Sequence, residues 1–474
     1  MKLSVFDAKG DIIYCDSLDI NNNNQWVKSH LQFVADKAKF FYIGIYVESL
    51  RRHEEPPVQS IWIDKVSVNI DGFDMENFDL DLLPSLPPHD STNLIPLLFE
   101  QKNTFSQIKE LKSHRIVALG ESMHNTYEFN KTAIRIIENQ IINNNCRLVA
   151  LEIPIDMGLK WNMFVQQKVS FDISEIECDL LSLSLPKEEW MSFLIWLKEY
   201  NEKSSRKVRL FGMDAVVSVA DCLPVYFNEY ITMDSLLFAP LFIDAFSAET
   251  SKLMRKIRRN ENKIASYIGE KELSFLIRGL ENTNNGIFGT DNQRFIILNR
   301  DAIMFNNLKS VIETDLKDDE TVTIYAHLFH AGKKNVNINQ LISPLGKQLY
   351  NLYGENYFCI GLFTYKDEIG TSPFYSIEDY CEQTGFSYFY TLSNTIPPCI
   401  RGRIRGQDFE GSRKNFNFDF MPLQQMIDAL IFVDKVNTVD IDTKRKDRNK
   451  MEGKRIIQNL NRKNELMGKK QLKK

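Results

Sequence analysis

Five short apolar runs recur along the middle of the chain, at residues 116–119, 147–150, 208–211, 321–326 and 357–363. They are nearly continuous, whereas a strand with one solvated face alternates apolar and polar positions. This favours strands buried on both faces of a mainly parallel sheet, although a short apolar run is also compatible with a buried helix segment. Four of the five runs lead into an ionisable side chain. Because open α/β sheets bind ligands at the carboxyl ends of their strands, the pattern predicts a functional site at that edge.

Helical periodicity fills the intervals between the runs. Phe129, Ala133, Ile137 and Ile141 recur at helical spacing after the first run. Long helical insertions are predicted between the second and third runs and between the third and fourth. The predicted fold class is α/β, with a mainly parallel sheet and large helical insertions, preceded by a small β-rich N-terminal region.

Composition divides the chain into four parts. Residues 1–82 are β-rich, and residues 83–97 carry the proline, aspartate and serine typical of a linker. Residues 98–435 form the predicted α/β hydrolase-like domain, and residues 436–474 form a basic C-terminal tail. In the first part, aromatic and branched residues predict a strand at residues 40–47. The alternation of apolar residues changes phase near Asp64, which predicts a β-bulge there.

The composition is that of a soluble globular protein, with 43% hydrophobic and 26% charged residues. No segment reaches the roughly 18 apolar residues that a membrane helix needs. Residues 1–20 lack the basic start and apolar stretch of a signal peptide. The seven cysteines are scattered without paired spacing, which indicates reduced thiols. We therefore expect a cytoplasmic protein without a membrane partner; the pattern carries no prediction of its oligomeric state.

The net charge of −5 is unevenly distributed. Residues 443–474 contain thirteen lysine and arginine residues against three acidic residues, a local charge of +10. Such a tail can contact nucleic acid or another anionic surface. It lacks the interleaved aromatic residues that stack on bases. We therefore expect a solvated, partly disordered end and no nucleic-acid partner.

The segment GESMH joins the first run to the helix that follows it. Its His124 is the leading candidate for a general base, because an imidazole titrates near neutral pH and can take a proton from water. Glu121 lies one helical turn away and can either orient the ring or hold the same water, and Glu152 can take either role. Glu152, His327 and His330 follow two other runs and are expected to converge on the same cleft. Two carboxylates and three imidazoles together favour hydrolysis.

Arg300 and Ser122 each leave two interpretations open. Arg300 can stabilise the oxyanion that develops when water attacks a carbonyl, or it can act with Asp301 as a structural cap. Ser122 stands in a G-x-S-x-H segment close to the G-x-S-x-G nucleophile elbow. The elbow needs a small residue where His124 stands, so a serine nucleophile is the weaker alternative.

A metal site is a further alternative, because imidazole and carboxylate groups are recognised ligands. Its candidate ligands are His124, Glu128, His327 and His330, although their spacing is not the HExxH pattern. Glycine-rich nucleotide-binding motifs are absent from the sequence. The prediction is therefore a site without a metal or an organic cofactor.

The chain resembles the erythromycin esterase family over roughly residues 105–370. The resemblance rests on five segments in order, GESMHNTYEF, ALE, FGMD, NRDAIMFNN and YAHLFH. It implies an α/β fold with helical insertions, hydrolysis of a macrolide lactone or another ester, and a role in antibiotic resistance. It also implies a water activated by a histidine without a catalytic metal. At matching positions, His124 is the implied base, with Glu121 as its partner, and the pocket is completed by Glu152, Arg300, His327 and His330.

Two residues depart from the family pattern. Asn125 stands where a glycine is common, and Leu328 stands where an asparagine commonly follows the histidine. Leu328 removes a hydrogen-bonding side chain from the pocket, which bears on the substrate rather than on the base. Separately, the segments IGIYVES and SIWIDKVSVNIDG resemble the final strands of carbohydrate-binding jelly-roll modules.

The sequence thus predicts an esterase-like hydrolase whose partner is a small-molecule ester or lactone. The predicted catalytic residues are His124, Glu121, His327, Glu152 and Arg300, and the predicted substrate-binding residues are His330, Glu128, Asp214 and Ser122. One alternative is a non-catalytic or metal-binding relative that captures a ligand in the same cleft. Another is a carbohydrate-interacting accessory protein that uses the N-terminal β region.

Overall fold

The structure is a computed structural model. It describes residues 2–7, 12–17, 30, 32, 41–46, 69–70, 73–74, 93–99, 101, 103–168, 173–218, 221–284, 293–334, 343–367, 370–371, 377–397, 400, 402–406, 416–420, 423–438 and 441–471. The β-bulge predicted near Asp64 lies outside these residues.

Short antiparallel strands make up the described part of the N-terminal region. β1 (Lys2–Asp7) pairs with β2 (Ile12–Ser17) on one side and with β3 (Phe41–Tyr46) on the other. β4 (Asn69–Ile70) and β5 (Phe73–Asp74) form a separate two-stranded ladder. The strand predicted at residues 40–47 is confirmed as β3.

The rest of the described chain alternates strands and helices. The first part contains β6 (Ile95–Pro96), α1 (Glu110–Ser113), β7 (Ile116–Glu121), α2 (Tyr127–Asn143), β8 (Cys146–Leu151), α3 (Ile155–Val165), α4 (Ile173–Ser182), α5 (Lys187–Lys203) and β9 (Arg209–Gly212). The second insertion contains α6 (Cys222–Asn228), α7 (Ser235–Phe246), α8 (Thr250–Arg259), α9 (Glu261–Ile268), α10 (Glu270–Asn284) and α11 (Gln293–Asp315). After it come β10 (Thr321–His327), α12 (Leu328–Ala331), α13 (Leu345–Tyr353), β11 (Tyr357–Asp367), β12 (Gly370–Thr371), α14 (Ile377–Glu382), β13 (Tyr388–Leu392), β14 (Gly402–Gly406), β15 (Phe416–Phe420), α15 (Leu423–Met426), β16 (Ala429–Lys435) and α16 (Ile441–Gln471).

One sheet organises this part of the chain, with the strand order β6-β13-β16-β11-β7-β10-β8-β9. All neighbours from β16 to β9 are parallel, whereas β13 is antiparallel to both β16 and β6. β12 pairs antiparallel with β11, and β14 with β15 in a separate ladder. The five predicted runs are β7, β8, β9, β10 and β11, so the predicted α/β fold with a mainly parallel sheet and helical insertions is confirmed.

Helices cover both faces of the sheet, which explains why its strands are apolar without alternation. In β7, Ile116 and Ala118 point to one core, where they pack with residues of the second insertion. Val117 and Leu119 point to the other core, which contains the apolar stripes of α2 and α5. Successive side chains of a strand alternate between faces, so one continuous run supplies both cores.

Helix α3 lies unusually close to strand β9. A Cβ atom added to Gly158 would lie 2.0 Å from the Gly212 nitrogen, and one added to Gly212 would lie 2.3 Å from the Pro154 carbonyl oxygen. Only glycine permits this approach of two backbones. The contact fixes α3 against the end of β9, next to the residues that follow β8 and β9.

The C-terminal end was predicted to be solvated and partly disordered, and most described side chains of residues 449–468 are indeed exposed. Residues 441–471 form the helix α16. Arg455 on this helix is 6% exposed and donates to Glu175 Oε2 at 2.7 Å and to Asp179 Oδ1 at 2.9 Å. The prediction of disorder was wrong for residues 441–471, because a basic sequence with few apolar residues can still dock when a buried carboxylate accepts one of its cations.

The predicted linker also meets the sheet at its last residues. Ile95 and Pro96 form β6 and pair with Phe389 and Tyr390 of β13. The four-part division of the chain stays a prediction. Among the described helices, none is both long and apolar enough to cross a membrane.

Candidate active site

The predicted base and its predicted partner are in contact. The imidazole Nδ1 of His124 lies 2.7 Å from Oε1 of Glu121, the last residue of β7. The hydroxyl of Tyr325 donates to the other oxygen of Glu121. With Nδ1–H donating to Glu121, the tautomer of His124 is the one whose Nε2 carries the free lone pair. The three residues therefore present an imidazole base with a fixed tautomer.

The register of the parallel strands explains why residues from β7, β8 and β10 meet at one site. β10 lies between β7 and β8, with His327 opposite Glu121. Tyr325 and His327 are two residues apart, so their side chains lie on the same face of β10. The His327 amide donates to Glu152 Oε2 at 2.8 Å, just beyond the end of β8. Parallel strands that end together thus bring residues 121, 152 and 327 to one edge.

Arg300 of α11 joins the ends of β8 and β9. Its Nη2 lies 2.8 Å from Glu152 Oε1, and its Nε and Nη2 lie 2.9 and 3.0 Å from the two oxygens of Asp214. The bidentate contact with Asp214 fixes the plane of the guanidinium. Arg300 is therefore held by two carboxylates, Glu152 and Asp214. These contacts differ from the structural cap with Asp301 that was the alternative interpretation.

His330 is held at both ring nitrogens. Its Nδ1 lies 2.9 Å from Asp301 Oδ1, and its Nε2 lies 3.1 Å from Arg300 Nη1 and 3.3 Å from Glu152 Oε1. The neutral ring accepts from Arg300 at Nε2, whereas the protonated ring donates to Glu152. Asp301 also accepts from the Leu345 amide at 2.8 Å, so this carboxylate is itself fixed.

His124 and His327 lie side by side at the edge of this network. Their ring centroids are 4.2 Å apart. The His124 side chain is 36% exposed, so water can reach it, whereas His327 is buried. Burial lowers the pKa of His124, but the hydrogen bond and charge of Glu121 and the charge of Glu152 outweigh burial and raise it above the ordinary value.

Neighbouring charges shift the pKa values of three buried groups near the base. Burial raises the pKa of Glu152, but the neighbouring His330 and Arg300 outweigh burial and hold it well below its usual range. Burial lowers the pKa of Arg300, but Asp214 and Glu152 outweigh it and raise the pKa further. Burial also lowers the pKa of His330, and Glu152 and Asp301 raise it overall. The site thus combines a fixed cation, Arg300, with an ionised carboxylate, Glu152.

Two predicted substrate-binding residues lie apart from these contacts. Glu128 accepts hydrogen bonds from the amide nitrogen and from the side-chain Nδ2 of Asn437, both at 2.7 Å. Ser122 is 4% exposed, and α2 begins only at Tyr127. In a nucleophile elbow the serine sits on the turn between a strand and a helix, so five residues between β7 and α2 do not form one.

Among the described residues, no group of three histidine, cysteine or acidic side chains has the geometry to hold a metal ion.

A cavity of about 530 Å³ lies at the opposite, amino-terminal edge of the sheet. Its lining includes the basic residues Arg206 and Lys207. Arg206 donates to the Asp315 carbonyl and Lys207 to the Gln166 carbonyl. These carbonyls end helices, where a cation is favourable, so helix capping accounts for these two basic residues.

Tyr325 is the site residue that the sequence argument missed. It lies in the YAHLFH segment, two residues before His327. The period of two along a strand places both side chains on one face, so the same pattern argument extends to it. The indole ring of Trp190 packs beside Tyr325, with ring centroids 6.1 Å apart, and supports it from α5.

The erythromycin esterase family model matches residues 243–436. The resemblance to this family is confirmed over that segment, which contains Arg300, His327 and His330. Residues 120–129 and Glu152 precede it. No curated protein matches the chain in sequence.

Three solved structures are similar to this chain. A Bacillus cereus protein is 19% identical, with 74% of this chain and 96% of that chain covered and a TM-score of 0.52. A succinoglycan biosynthesis protein is 16% identical, with 74% and 96% covered and a TM-score of 0.54. A mutant of the erythromycin esterase EreC in its open conformation is 16% identical, with 71% and 95% covered and a TM-score of 0.49. At such identities, the first two likenesses show the fold alone.

Proposed function

We propose that this chain, whose residues 243–436 match the erythromycin esterase family, is a hydrolase that cleaves an ester or macrolide lactone with a water activated by His124. The observation that supports this most is the contact of His124 with Glu121, beside the Arg300 network at the carboxyl edge of the sheet. This edge is where α/β folds carry their ligands.

The proposed reaction begins with proton transfer from water to Nε2 of His124. The hydroxide attacks the carbonyl carbon, and the electron pair of the C=O bond moves to the oxygen. The imidazolium is stabilised by Glu121, which accepts from Nδ1, and Glu121 is stabilised by Tyr325. Collapse of the tetrahedral intermediate breaks the bond to the alkoxide, which takes the proton back from His124.

The oxyanion needs a positive group that is already oriented. Arg300 is such a group, since Asp214 holds its guanidinium by two hydrogen bonds and keeps it protonated. Donors that are fixed before the reaction stabilise the developing charge without reorganising during the step. We propose that the carbonyl oxygen of the substrate binds near Arg300 and His327. His327 lies beside His124, so this position is also close to the activated water.

An activity screen tests this proposal. We expect the parent protein to hydrolyse one class among macrolides, simple acyl esters and acylated sugars. The last class is included because one structural neighbour is described as a succinoglycan biosynthesis protein. Replacing His124→Ala should lower turnover about 10²- to 10⁴-fold, as expected for loss of a general base. Unchanged turnover on a confirmed substrate would remove His124 from the mechanism.

His114→Gln is the matched control for that variant. This histidine lies before the amino end of β7, where its Nδ1 contacts the Glu110 carbonyl at 2.7 Å. It is far along the strand from Glu121, so we expect turnover to stay within about twofold of the parent. Circular dichroism and thermal unfolding of both variants check that the fold is retained.

A non-catalytic relative that captures a ligand is the second candidate. It is favoured by the contacts of Arg300, whose three nitrogens all have protein partners in Glu152, Asp214 and His330. Calorimetry that finds a bound ester or macrolide without turnover by the parent would support this candidate over hydrolysis.

A further inference from the structure

The loop that carries His124 is in contact with the C-terminal part of the chain. Residues 436–438, here called the C-terminal strap, connect β16 to the segment before α16. Thr126 and Thr438 form an antiparallel bridge, and the Tyr127 amide donates to the Asn437 carbonyl at 2.9 Å. Val436 is fully buried in the same core as Met123. The strap, more than 300 residues away along the chain, thus makes backbone contacts with successive residues at the end of the loop.

The strap supplies the cap of helix α2. The first amides of a helix have no partner within the helix, and a side chain of the capping residue commonly accepts from them. Here the N-cap residue Thr126 makes no such hydrogen bond. The Asn437 carbonyl accepts from Tyr127 instead, and Glu128 in the first turn accepts from the amide and side chain of Asn437. The helix thus donates one hydrogen bond to the strap and accepts others from it. This reciprocal pattern is that of a capping box, but its two sides are distant along the chain.

The loop that carries His124 is fixed at both ends. Asn125, next to His124, has φ of +60°, a left-handed conformation that asparagine adopts more readily than most other residues with a side chain. His124 is three residues after Glu121 and two residues before Thr126. The loop is therefore fixed at one end by β7 and at the other by the strap. The position of the imidazole relative to Glu121 depends on both ends.

We propose that the C-terminal strap holds the His124 loop in the conformation that places the imidazole on Glu121, with Asn437 as the positioning residue. The strap is itself held at both ends. β16 pairs with β11 and β13 in the sheet, and α16 is anchored through Arg455 to Glu175 and Asp179. The inference rests on the proposed function for its catalytic meaning, but the geometry that it concerns is measurable without a substrate.

Replacing Asn437→Ala tests the strap without changing the net charge. It removes the side-chain donor to Glu128 and leaves the backbone contacts in place. The charged and titratable groups around His124 are Glu121, Glu152, Arg300 and His327, and the variant alters none of them. A shift of the His124 pKa therefore reports a change in its contact with Glu121. We expect an NMR titration of the full-length protein to show this pKa lowered by about 0.3 unit or more.

Asn461→Ala is the matched control, because Asn461 is an exposed asparagine on α16. We expect its His124 pKa to equal that of the parent. Equal pKa values in the parent, Asn437→Ala and Asn461→Ala would overturn the proposal. If a substrate is found, kcat of Asn437→Ala should fall about threefold to tenfold with a smaller change in KM, since a loosely placed base slows the chemical step.

A double exchange keeps the test decisive if Asn437→Ala does not fold. Glu128→Gln with Asn437→Asp keeps the net charge and reverses donor and acceptor between the two side chains. We expect this pair to bring the His124 pKa and kcat back to the parent values, whereas Asn437→Asp alone places two carboxylates together and destabilises the loop. A double variant no better than Asn437→Asp would overturn the proposal. A parent that hydrolyses nothing while the titrations behave as expected would contradict the proposed function and leave the strap intact.

Discussion

The Glu121 carboxylate has two donors, and each limits the freedom of the other. The His124 imidazole donates to Oε1 and the Tyr325 hydroxyl to Oε2, so the carboxylate cannot turn away from the ring without losing the tyrosine. Glu121 is 6% exposed, and little water is available to replace either donor. A single residue therefore sets both the orientation and the protonation of the proposed base.

Replacing Glu121→Gln should lower the pKa of His124, because Glu121 supplies the hydrogen bond and the largest charge effect that raise it. The proposed base acts when it is deprotonated, so the acidic limb of the kcat/KM profile lies above pH 6.5 in the parent. We expect the limb to move to lower pH by about one unit in the variant, with a lower plateau. Turnover measured from pH 5 to 9 checks this, and Glu202→Gln on the exposed face of α5 is the charge-matched control. A limb that stays at the parent pH would contradict the assigned role of Glu121.

At the scale of the elements, the site depends on strands that end together and on helices that reach those ends. α3 approaches β9 so closely that Gly158 lies against Gly212. Glu152 stands just before α3, and Asp214 stands just after β9. The spacing between the two carboxylates that hold Arg300 is thus set by the contact between one helix and one strand.

Replacing Gly158→Ala should push α3 away from β9, because the new Cβ would lie 2.0 Å from a backbone nitrogen. We expect the free energy of unfolding to fall by about 1–3 kcal/mol, as for overpacking in a well-packed interior. Turnover should fall as well, because Glu152 and Asp214 no longer hold Arg300 in the same plane. Gly453→Ala is the control: nothing lies within 4 Å of its added Cβ, and alanine favours the helix α16 by about 0.5–1 kcal/mol. Urea unfolding of both variants measures the difference, and equal stabilities would contradict the close contact.

The sequence predicts most of the strands and helices, but few of the contacts between residues that are distant along the chain. Near-continuous apolar runs predict the strands from β7 to β11, because a strand covered on both faces has no solvated positions. β16 carries the same kind of run, ALIFV, so the argument extends to it. Side chains at the ends of these runs predict most of the site. Contacts between residues such as Glu128 and Asn437 leave no local pattern, since neither periodicity nor spacing encodes which distant residues pair.

At the scale of the whole molecule, the C-terminal helix is tied to the first insertion by buried charges. Asp179 of α4 accepts from Lys160 Nζ at 2.8 Å, Trp161 Nε1 at 2.9 Å and Arg455 Nη2 at 2.9 Å. Lys160 and Asp179 are almost completely buried. Burial raises the pKa of Asp179, but Lys160 and Arg455 outweigh it and lower the pKa overall. Arg455 thus completes a buried ionic cluster that helps to dock α16, and composition alone does not reveal this contact.

Replacing Arg455→Met should remove this anchor. We expect a loss of about 3 kcal/mol in the free energy of unfolding, because a buried carboxylate loses one of its cations. Arg462→Met is the matched control, since Arg462 is 33% exposed, pairs with the exposed Glu465 and makes one long hydrogen bond of 3.3 Å to Asn228 Oδ1. Such surface pairs contribute roughly 0–1 kcal/mol. Chemical denaturation of both variants measures the two losses in the free energy of unfolding. Similar losses would contradict the stabilising role assigned to the buried Arg455.

The pairing of Tyr127 and Glu128 with Asn437 also bears on biosynthesis. A ribosome adds roughly 5–20 residues per second, so codon 437 is read about 15–60 s after codon 124. Once codon 367 has been read, the nascent polypeptide contains its proposed base, its proposed oxyanion cation and most of its sheet, yet the turn around the base still has no partner at its far end. Premature termination between codons 331 and 436 would therefore release a translation product that contains all the proposed catalytic residues and lacks the segment that aligns the base.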